Sequence, residues 1–187
     1  MIANEHIQES DDTFTIEDAH PEDVETLRHI VRDAWLRLYP NTEFGITKED
    51  IEAIDWLEPV GIERRRREIT DMADTIRTWV LKDTDGGIVG FCKASRSEDG
   101  GEVEAIYVRE GYEGKGLGKK LLLNALEWLP NDKPIKLYVV AYNTHAIGFY
   151  KKFGFVETDH TVAYEGTKLP SGKTVPRIEM VRSAYVV

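Results

Sequence analysis

The stretch that decides the fold is VEAIYVREGYEGKGLGKKL, residues 103–121. It begins as an apolar strand, passes through a short turn into three alternating glycines, and continues directly into a helical pattern. Because Gly114, Gly116 and Gly118 lack a Cβ, backbone N–H groups can approach a ligand closely there, and the helix dipole adds positive potential. The stretch therefore predicts an anion site, and a diphosphate is the ligand that suits it.

The composition bounds the fold and excludes several functions. The 187 residues are 41% hydrophobic, which suffices for one core. A net charge of −10 argues against a nucleic-acid partner, since such proteins neutralise phosphates with Lys and Arg. No apolar run is long enough for a membrane partner, and the single cysteine fits a reducing compartment. We expect a flexible tail over residues 1–11 and a single cytoplasmic domain over residues 12–187.

The remaining segments predict a mixed α/β fold. The predicted helices, with apolar residues at helical spacing, span residues 21–39, 47–56, 59–73, 117–129 and 145–153. The predicted strands, with alternating or β-branched runs, span residues 13–17, 76–81, 88–94, 103–108, 135–140, 155–164 and 175–182. Short turns join the second to fourth strands into an antiparallel meander. The expected architecture is a largely antiparallel central sheet of about seven strands flanked by about four or five helices.

Two common phosphate-binding motifs do not fit the glycine stretch. A P-loop requires GxxxxGK[ST], whereas three residues separate Gly114 from Gly118 and Lys120 replaces the hydroxyl that would hold magnesium. A dinucleotide motif requires GxGxxG, whereas Lys119 stands at the third glycine position and an antiparallel meander precedes the loop. An unrelated nucleotide-binding protein is therefore the least favoured hypothesis.

A second motif follows the glycine stretch at residues 142–155, YNTHAIGFYKKFGF. Together, residues 102–129 and 142–155 resemble motifs A and B of the GNAT superfamily of acetyl-CoA-dependent N-acetyltransferases, and the resemblance covers roughly residues 13–183. The chain departs from the family signature at Glu113, where Gln or Arg is usual. An acidic side chain there would either weaken the affinity for the coenzyme or point into solvent.

The resemblance implies acetyl-CoA as cosubstrate, with no metal. It implies that the backbone of Ile106, Tyr107 and Val108 holds the pantetheine arm and the acetyl group, and that Asn143 hydrogen-bonds the pantetheine. It assigns the diphosphate to the backbone amides of Glu113, Gly114, Lys115, Gly116, Leu117, Gly118 and Lys119. These expectations agree with the anion site that the glycines predict on physical grounds.

The resemblance also implies the two groups that move protons. Acetyl transfer needs a neutral amine, a polarised thioester carbonyl and a proton for the leaving thiolate. Tyr150 would protonate the coenzyme A sulfur, and Glu104 would deprotonate the amine. The alternatives are Tyr150 as a packing residue and Glu104 as a paired strand carboxylate.

The acceptor is expected to be a primary amine of a small molecule or peptide, which attacks directly in a ternary complex. The candidate residues of one substrate wall are Trp35, Tyr39, Glu43 and Phe44. Residues 165–174 would form the other wall, and aromatics with carboxylates suit a cationic amine. The sequence names neither the amine nor the oligomeric state, although an apolar edge at residues 183–187 is a candidate for pairing in a homodimer. A non-catalytic module that binds acetyl-CoA or a partner is the alternative function.

Overall fold

The computed structural model describes residues 13–184, and for residues 160–167 it describes the backbone alone. The strands are β1 (Phe14–Asp18), β2 (Ile76–Asp83), β3 (Ile88–Ser97), β4 (Gly100–Val108), β5 (Ile135–Val140), β6 (Val156–Lys168) and β7 (Thr174–Arg182). The helices are α1 (Val24–Leu38), α2 (Lys48–Glu52), α3 (Pro59–Asp71), α4 (Leu117–Trp128) and α5 (Thr144–Lys151), with a 3₁₀ turn (Pro21–Asp23) before α1. The predicted tail and the end of the predicted pairing edge at residues 183–187 lie outside the described residues.

The strands form one sheet in the order β1-β2-β3-β4-β5-β7-β6. Only β4 and β5 are parallel among the described neighbours, and the other pairs are antiparallel. The predicted mixed, largely antiparallel sheet is therefore confirmed. The last turn is shorter than predicted: Pro170 and Gly172 lie at its centre, so that Lys168 still pairs with Thr174.

Helices cover both faces of this sheet. On one face α4 and α5 enclose the main core, in which Leu121, Leu122 and Phe155 are fully buried. On the other face α1, α2 and α3 cover two smaller clusters, one around Phe91 and an aromatic one around Trp35. This packing fixes α1 and α4 on opposite sides of β4. No helix within residues 13–184 has both the length and the apolar character needed to cross a membrane.

Candidate active site

A gap opens between β4 and β5. Their parallel ladder joins residues 101–103 to residues 135–137 and extends no further in the described strands. Beyond this ladder β4 still pairs with β3 as far as Val108, and β5 still pairs with β7 as far as Val140. Each strand therefore keeps its other neighbour while the two diverge, and the divergence leaves room for an extended ligand between them.

A β-bulge marks the start of this gap. The register between β3 and β4 shifts between Lys93 and Ala94, which leaves Glu104 as the extra residue on β4. Bulges increase the local twist and redirect the strand that carries them. The bulge at Glu104 therefore accounts for the separation of β4 from β5 beyond it.

The backbone of β4 offers hydrogen-bonding groups to the gap. Arg109 N donates to Val89 O on the β3 side at 2.8 Å. Hydrogen bonding to one neighbour alternates along an antiparallel strand, so Tyr107 also turns its backbone groups toward β3. Those of Ile106 and Val108 consequently face the gap. Of the three residues predicted to hold the pantetheine, these two present free backbone groups to it.

The glycine loop forms an open cradle at the beginning of α4. Gly114 and Gly116 have φ angles of +78° and +75°, and a Cβ at either position would meet no atom within 4 Å. The first described bond that closes the helix runs from Lys120 N to Gly116 O at 3.0 Å. Three residues come before Lys120 in the helix, and their N–H groups have no partner within it: Leu117, Gly118 and Lys119. The open space and these donors fit a diphosphate.

The side chains of two lysines at this loop, Lys115 and Lys120, are turned toward β1. Lys115 Nζ lies 5.1 Å from the ring centroid of Tyr112 and 5.8 Å from that of Phe14. Lys120 Nζ donates to Phe14 O at 2.7 Å. Lys115 and Lys120 thus pack against the edge of the sheet, and the predicted contribution of Lys115 to the anion site is limited to its backbone N–H.

The unusual Glu113 folds back on its own loop. Its Oε2 accepts a hydrogen bond from Gly111 N at 2.8 Å, and its Oε1 lies 2.6 Å from Arg37 Nη1 on α1. Partial burial would raise the pKa of this carboxyl, but hydrogen bonds from backbone N–H groups and the Arg37 charge together hold it below the ordinary value. Glu113 therefore carries a charge that Arg37 compensates.

Tyr150 projects from α5 into the aromatic part of the main core. Its ring centroid lies 5.2 Å from that of Phe149 and 5.9 Å from that of Phe155. Its hydroxyl makes no hydrogen bond to any described residue, yet no described side-chain polar atom is both fully buried and unpaired. The hydroxyl therefore borders open space. Burial raises the pKa of Tyr150, and the nearby Cys92 thiol and Tyr107 phenol raise it further.

Asn143 caps α5 with its side-chain oxygen. Asn143 Oδ1 accepts a hydrogen bond from Ala146 N at 3.1 Å, so Asn143 is the N-cap residue and Thr144 begins the helix. The carboxamide nitrogen still has two N–H donors. This nitrogen is therefore available for the predicted contact with pantetheine.

Glu104 is held in an ion-pair network on the α1 to α3 face of the sheet. Lys93 Nζ lies 2.8 Å from Glu104 Oε2 and 2.8 Å from Glu68 Oε2. Glu104 keeps 28% of its side chain exposed, so solvent still reaches it. The predicted base is thus paired at the bulge where the gap begins. Within the described residues, no cluster of His, Cys, Asp or Glu could hold a metal ion.

The four predicted acceptor residues divide into two pairs. Trp35 and Tyr39 are only 5% and 7% exposed and belong to the aromatic core cluster, where Trp35 Nε1 donates to Tyr107 Oη at 3.0 Å. Glu43 and Phe44 are exposed on the turn between α1 and α2. The Phe44 ring stacks on Tyr142, with centroids 5.2 Å apart. Only the second pair presents side chains that an acceptor could touch at the surface.

The final hairpin is attached to α2 near this turn. Lys173 Nζ lies 3.0 Å from Asp50 Oδ2 and also donates to Gly45 O. These contacts join the two predicted substrate walls at their base. Side chains at residues 165–167, which belong to the predicted second wall, lie outside the described part of the molecule.

Three neighbours of the predicted residues were not identified from the sequence: Arg37, Lys93 and Tyr142. Arg37 meets Glu113, Lys93 meets Glu104, and Tyr142 stacks on Phe44. Each contact joins separate elements of the fold, and no local spacing signals it. For Arg37 alone the sequence held an indirect signal, because the unusual acid at position 113 suggests that a compensating cation lies nearby.

A family model and several known proteins match large parts of this chain. The family model described as "Acetyltransferase (GNAT) family" matches residues 24–155. A spermidine N(1)-acetyltransferase of Thermoplasma acidophilum is 31% identical over 144 residues, covering 74% of this chain and 85% of that protein. A mycothiol acetyltransferase of Corynebacterium efficiens is 36% identical over 126 residues, covering 63% of this chain and 42% of that protein. The chain thus spans less than half the length of this second relative.

Solved structures share the fold. The PaiA N-acetyltransferase of Thermoplasma acidophilum, crystallised in complex with coenzyme A, superposes with a TM-score of 0.68 at 24% identity, covering 91% of this chain and 98% of that chain. A phosphinothricin acetyltransferase of Sinorhizobium meliloti in complex with acetyl-CoA superposes with a TM-score of 0.63 at 20% identity, covering 92% and 89%. At these identities the superpositions show the architecture alone.

Proposed function

Because the chain belongs to the acetyltransferase (GNAT) family, we propose that it transfers an acetyl group from acetyl-CoA to the primary amine of a small molecule or peptide. The reaction would proceed by direct attack of the amine in a ternary complex. The family assignment confirms the resemblance that residues 102–129 and 142–155 indicate.

The observation that carries the proposal is the gap between β4 and β5 beside the glycine cradle. An extended thioester in this gap would reach the backbone groups of Ile106 and Val108. Its diphosphate would meet the N–H groups at the start of α4, and no atom lies within 4 Å of a Cβ position at Gly114 or Gly116. The carboxamide nitrogen of Asn143 would donate to the pantetheine.

Tyr150 is the proposed acid. Acetyl-CoA supplies an activated acyl group, whose carbon–sulfur bond breaks as the carbon–nitrogen bond to the amine forms. Tyr150 Oη would give its proton to the departing sulfur and regain one from solvent. Its raised pKa supports this role, because the phenol remains protonated until the sulfur takes the proton.

Glu104 is the proposed base. It would accept the proton that the amine loses, directly or through one water molecule. Its position at the bulge supports this role, since the gap that would hold the acetyl group begins there. Lys93 would fix the carboxylate in place through the 2.8 Å contact.

A cationic small amine is the proposed acceptor. The net charge of −10 favours the encounter with a cation. Exposed Glu43 and Phe44 could contact it at the turn between α1 and α2, whereas buried Trp35 and Tyr39 would support that wall from beneath. The similarity to a spermidine N(1)-acetyltransferase supports an amine of this class.

We also propose that residues 12–187 act as one cytoplasmic N-acetyltransferase domain. The single seven-stranded sheet supports one folding unit. Pairing of two copies through residues 183–187 stays a prediction.

A turnover assay tests the proposed function. Release of the coenzyme A thiol would be followed with polyamines, amino acids, aminoglycosides and peptide N-termini, and the product mass measured. We expect at least one amine to raise thiol release above the hydrolysis of acetyl-CoA and to gain one acetyl group. If acetyl-CoA stabilises the fold against heat but no amine is acetylated, the non-catalytic alternative replaces the enzyme. Stabilisation by ATP or NAD but not by acetyl-CoA would refute both the acetyltransferase and the non-catalytic acetyl-CoA-binding module.

A further inference from the structure

Arg37 brings a positive charge from α1 to the glycine loop. Its Nη1 lies 2.6 Å from Glu113 Oε1, while the second carboxylate oxygen of Glu113 accepts a hydrogen bond from Gly111 N. Glu113 is therefore anchored to its own loop on one side and to α1 on the other. The contact fixes the guanidinium at the edge of the cradle that α4 and its preceding glycines form.

The Arg37 guanidinium keeps unused donors. It has five N–H groups, and the pair with Glu113 is its only contact with the described residues that an ion-pair or hydrogen-bond distance supports. Its side chain is 35% exposed and lines a cavity of about 660 Å³ between α1 and the end of β4. Val108 and Arg109 line the same cavity, so the open space lies beside the strand that leads into the loop.

We propose that Arg37 is a specificity-determining residue for the coenzyme. Its unused N–H groups bind the diphosphate of the coenzyme, and Glu113 holds the guanidinium in position. This inference rests on the proposed function, because it requires coenzyme A at the glycine loop. A planar guanidinium matches phosphate oxygens through paired hydrogen bonds. A lysine or glutamine would not reproduce that geometry.

The charges at the loop favour this role. Without Arg37, the Glu113 carboxylate would stand unpaired beside a dianionic group and repel it. With Arg37, the pair is neutral, and the guanidinium can bridge a carboxylate and a phosphate because its donors point in several directions. The loop has Glu113 where Gln or Arg is usual in the family, and its cation comes from α1 instead.

Two roles of Arg37 make different predictions in a double-mutant cycle. If Arg37 contacts the diphosphate, Arg37→Gln weakens coenzyme A binding about ten- to hundred-fold in the native background and still about ten-fold in a Glu113→Gln background. If Arg37 merely neutralises Glu113, the effect vanishes once residue 113 is uncharged. The dissociation constants are measured by calorimetry with coenzyme A and the full chain. A vanishing effect overturns the inference.

Truncated ligands locate the contact on the coenzyme. S-acetylpantetheine lacks the diphosphate, so Arg37→Gln should leave its affinity unchanged. 3′-Dephospho-coenzyme A retains the diphosphate, so the loss should equal that with coenzyme A. An equal loss with S-acetylpantetheine, or no loss with the dephospho ligand, shows that Arg37 does not bind the diphosphate.

Matched variants separate this contact from folding. Arg32→Gln removes another arginine of α1, one that pairs with Asp33 at 3.7 Å, and should bind coenzyme A like the native chain. Arg37→Lys keeps the charge and should recover part of the affinity. If Arg37→Gln does not fold, the lysine variant replaces it in the binding measurements. A native chain that fails to bind coenzyme A refutes the proposed function. A native chain that binds it while both Arg37 variants bind equally well refutes only the role of Arg37.

Discussion

Lys93 Nζ lies 2.8 Å from Glu104 Oε2, and its distance from Glu68 Oε2 is also 2.8 Å. One ammonium group therefore joins β3, β4 and α3 at the bulge. The three side chains are 17% to 28% exposed, so solvent screens the network only in part. Glu104 is thereby fixed at the start of the gap with its charge compensated.

Replacing Lys93 tests what this network contributes to stability. Lys93→Met removes the cation that the two carboxylates share, which leaves Glu104 without its ion-pair partner and Glu68 with only the 3.8 Å contact to Arg64. The variant should lower the free energy of unfolding by about 1–2 kcal/mol, measured by urea denaturation. Adding Glu68→Gln removes one of the two charges and should recover part of the loss. Lys133→Met, at an exposed position before β5, is the control. Equal losses in the two lysine variants would show that the network adds no stability.

Removing the Tyr150 hydroxyl tests its role as acid. Tyr150→Phe should lower kcat about 10²- to 10⁴-fold, because the leaving thiolate loses its proton donor. The dissociation constant for coenzyme A should remain within about two-fold, since the ring packing with Phe149 and Phe155 is kept. Tyr138→Phe removes a hydroxyl that donates to Glu179 on the opposite face of the sheet, and should keep its kcat. A Tyr150→Phe enzyme with native kcat would remove the assigned role.

The pH dependence of the reaction provides a separate test of Tyr150. Its pKa is raised above the ordinary value near 10, so the phenol keeps its proton throughout the range below about pH 9.5. The kcat of the native enzyme should therefore show no alkaline decline from this group, and the ratio of native to Tyr150→Phe kcat should stay constant between about pH 6 and 9.5. A decline near pH 8 that disappears in Tyr150→Phe would contradict the raised pKa.

Gly116 allows backbone strain to be separated from ligand contact. Gly116→Ala forces a Cβ onto a residue with φ of +75°, and Gly86→Ala does the same at +78° in the β2–β3 turn. Each should cost about 1–2 kcal/mol of unfolding free energy. Only Gly116→Ala should weaken coenzyme A binding, because its Cβ would enter the cradle. Calorimetry with both variants measures this, and equal affinities would place the diphosphate elsewhere.

The elements of the fold were predictable where their signals are local. Helix α4 begins after Gly116 and buries Leu117, Leu121 and Leu122 on one stripe, as their spacing predicts. Pro130 lies just after the end of this helix and is itself a local signal, because proline does not fit inside a helix. The sheet order could not be obtained in this way, because β5 pairs with β7 across a connection that contains α5 and β6.

The site was predictable only in part. The glycines and Tyr150 lie within two short motifs, whereas the pairing of Arg37 with Glu113 depends on how α1 crosses the sheet. Trp35 and Tyr39 illustrate a second limit: aromatic residues at helical spacing give the same pattern whether they line a wall or fill a core. Here they are buried, whereas Glu43 and Phe44, the other two candidates for the acceptor wall, are exposed.

The pair of Asp50 and Lys173 predicts how the final hairpin responds to pH. The Ser171 side chain, the Thr47 backbone N–H and Lys173 hold the pKa of Asp50 well below its usual value of about 3.9. A lowered folded-state pKa means that this carboxylate contributes stability above the unfolded value and loses it as pH falls through the folded one. The attachment of the hairpin should therefore persist unchanged from pH 7 to about pH 4.

Asp50→Asn removes the charge but keeps an oxygen that can accept the hydrogen bond from Thr47 N at the start of α2. At pH 7 the amides of the turn before β7, at Leu169 and Gly172, should exchange with deuterium faster in this variant than in the native chain. The KM for the amine should also rise, because the second wall is less firmly attached. Glu52→Gln, at an exposed position in the same helix, is the control and should exchange as the native chain does. Identical exchange in Asp50→Asn and the native chain at pH 7 would show that Lys173 and Asp50 do not hold the hairpin in solution.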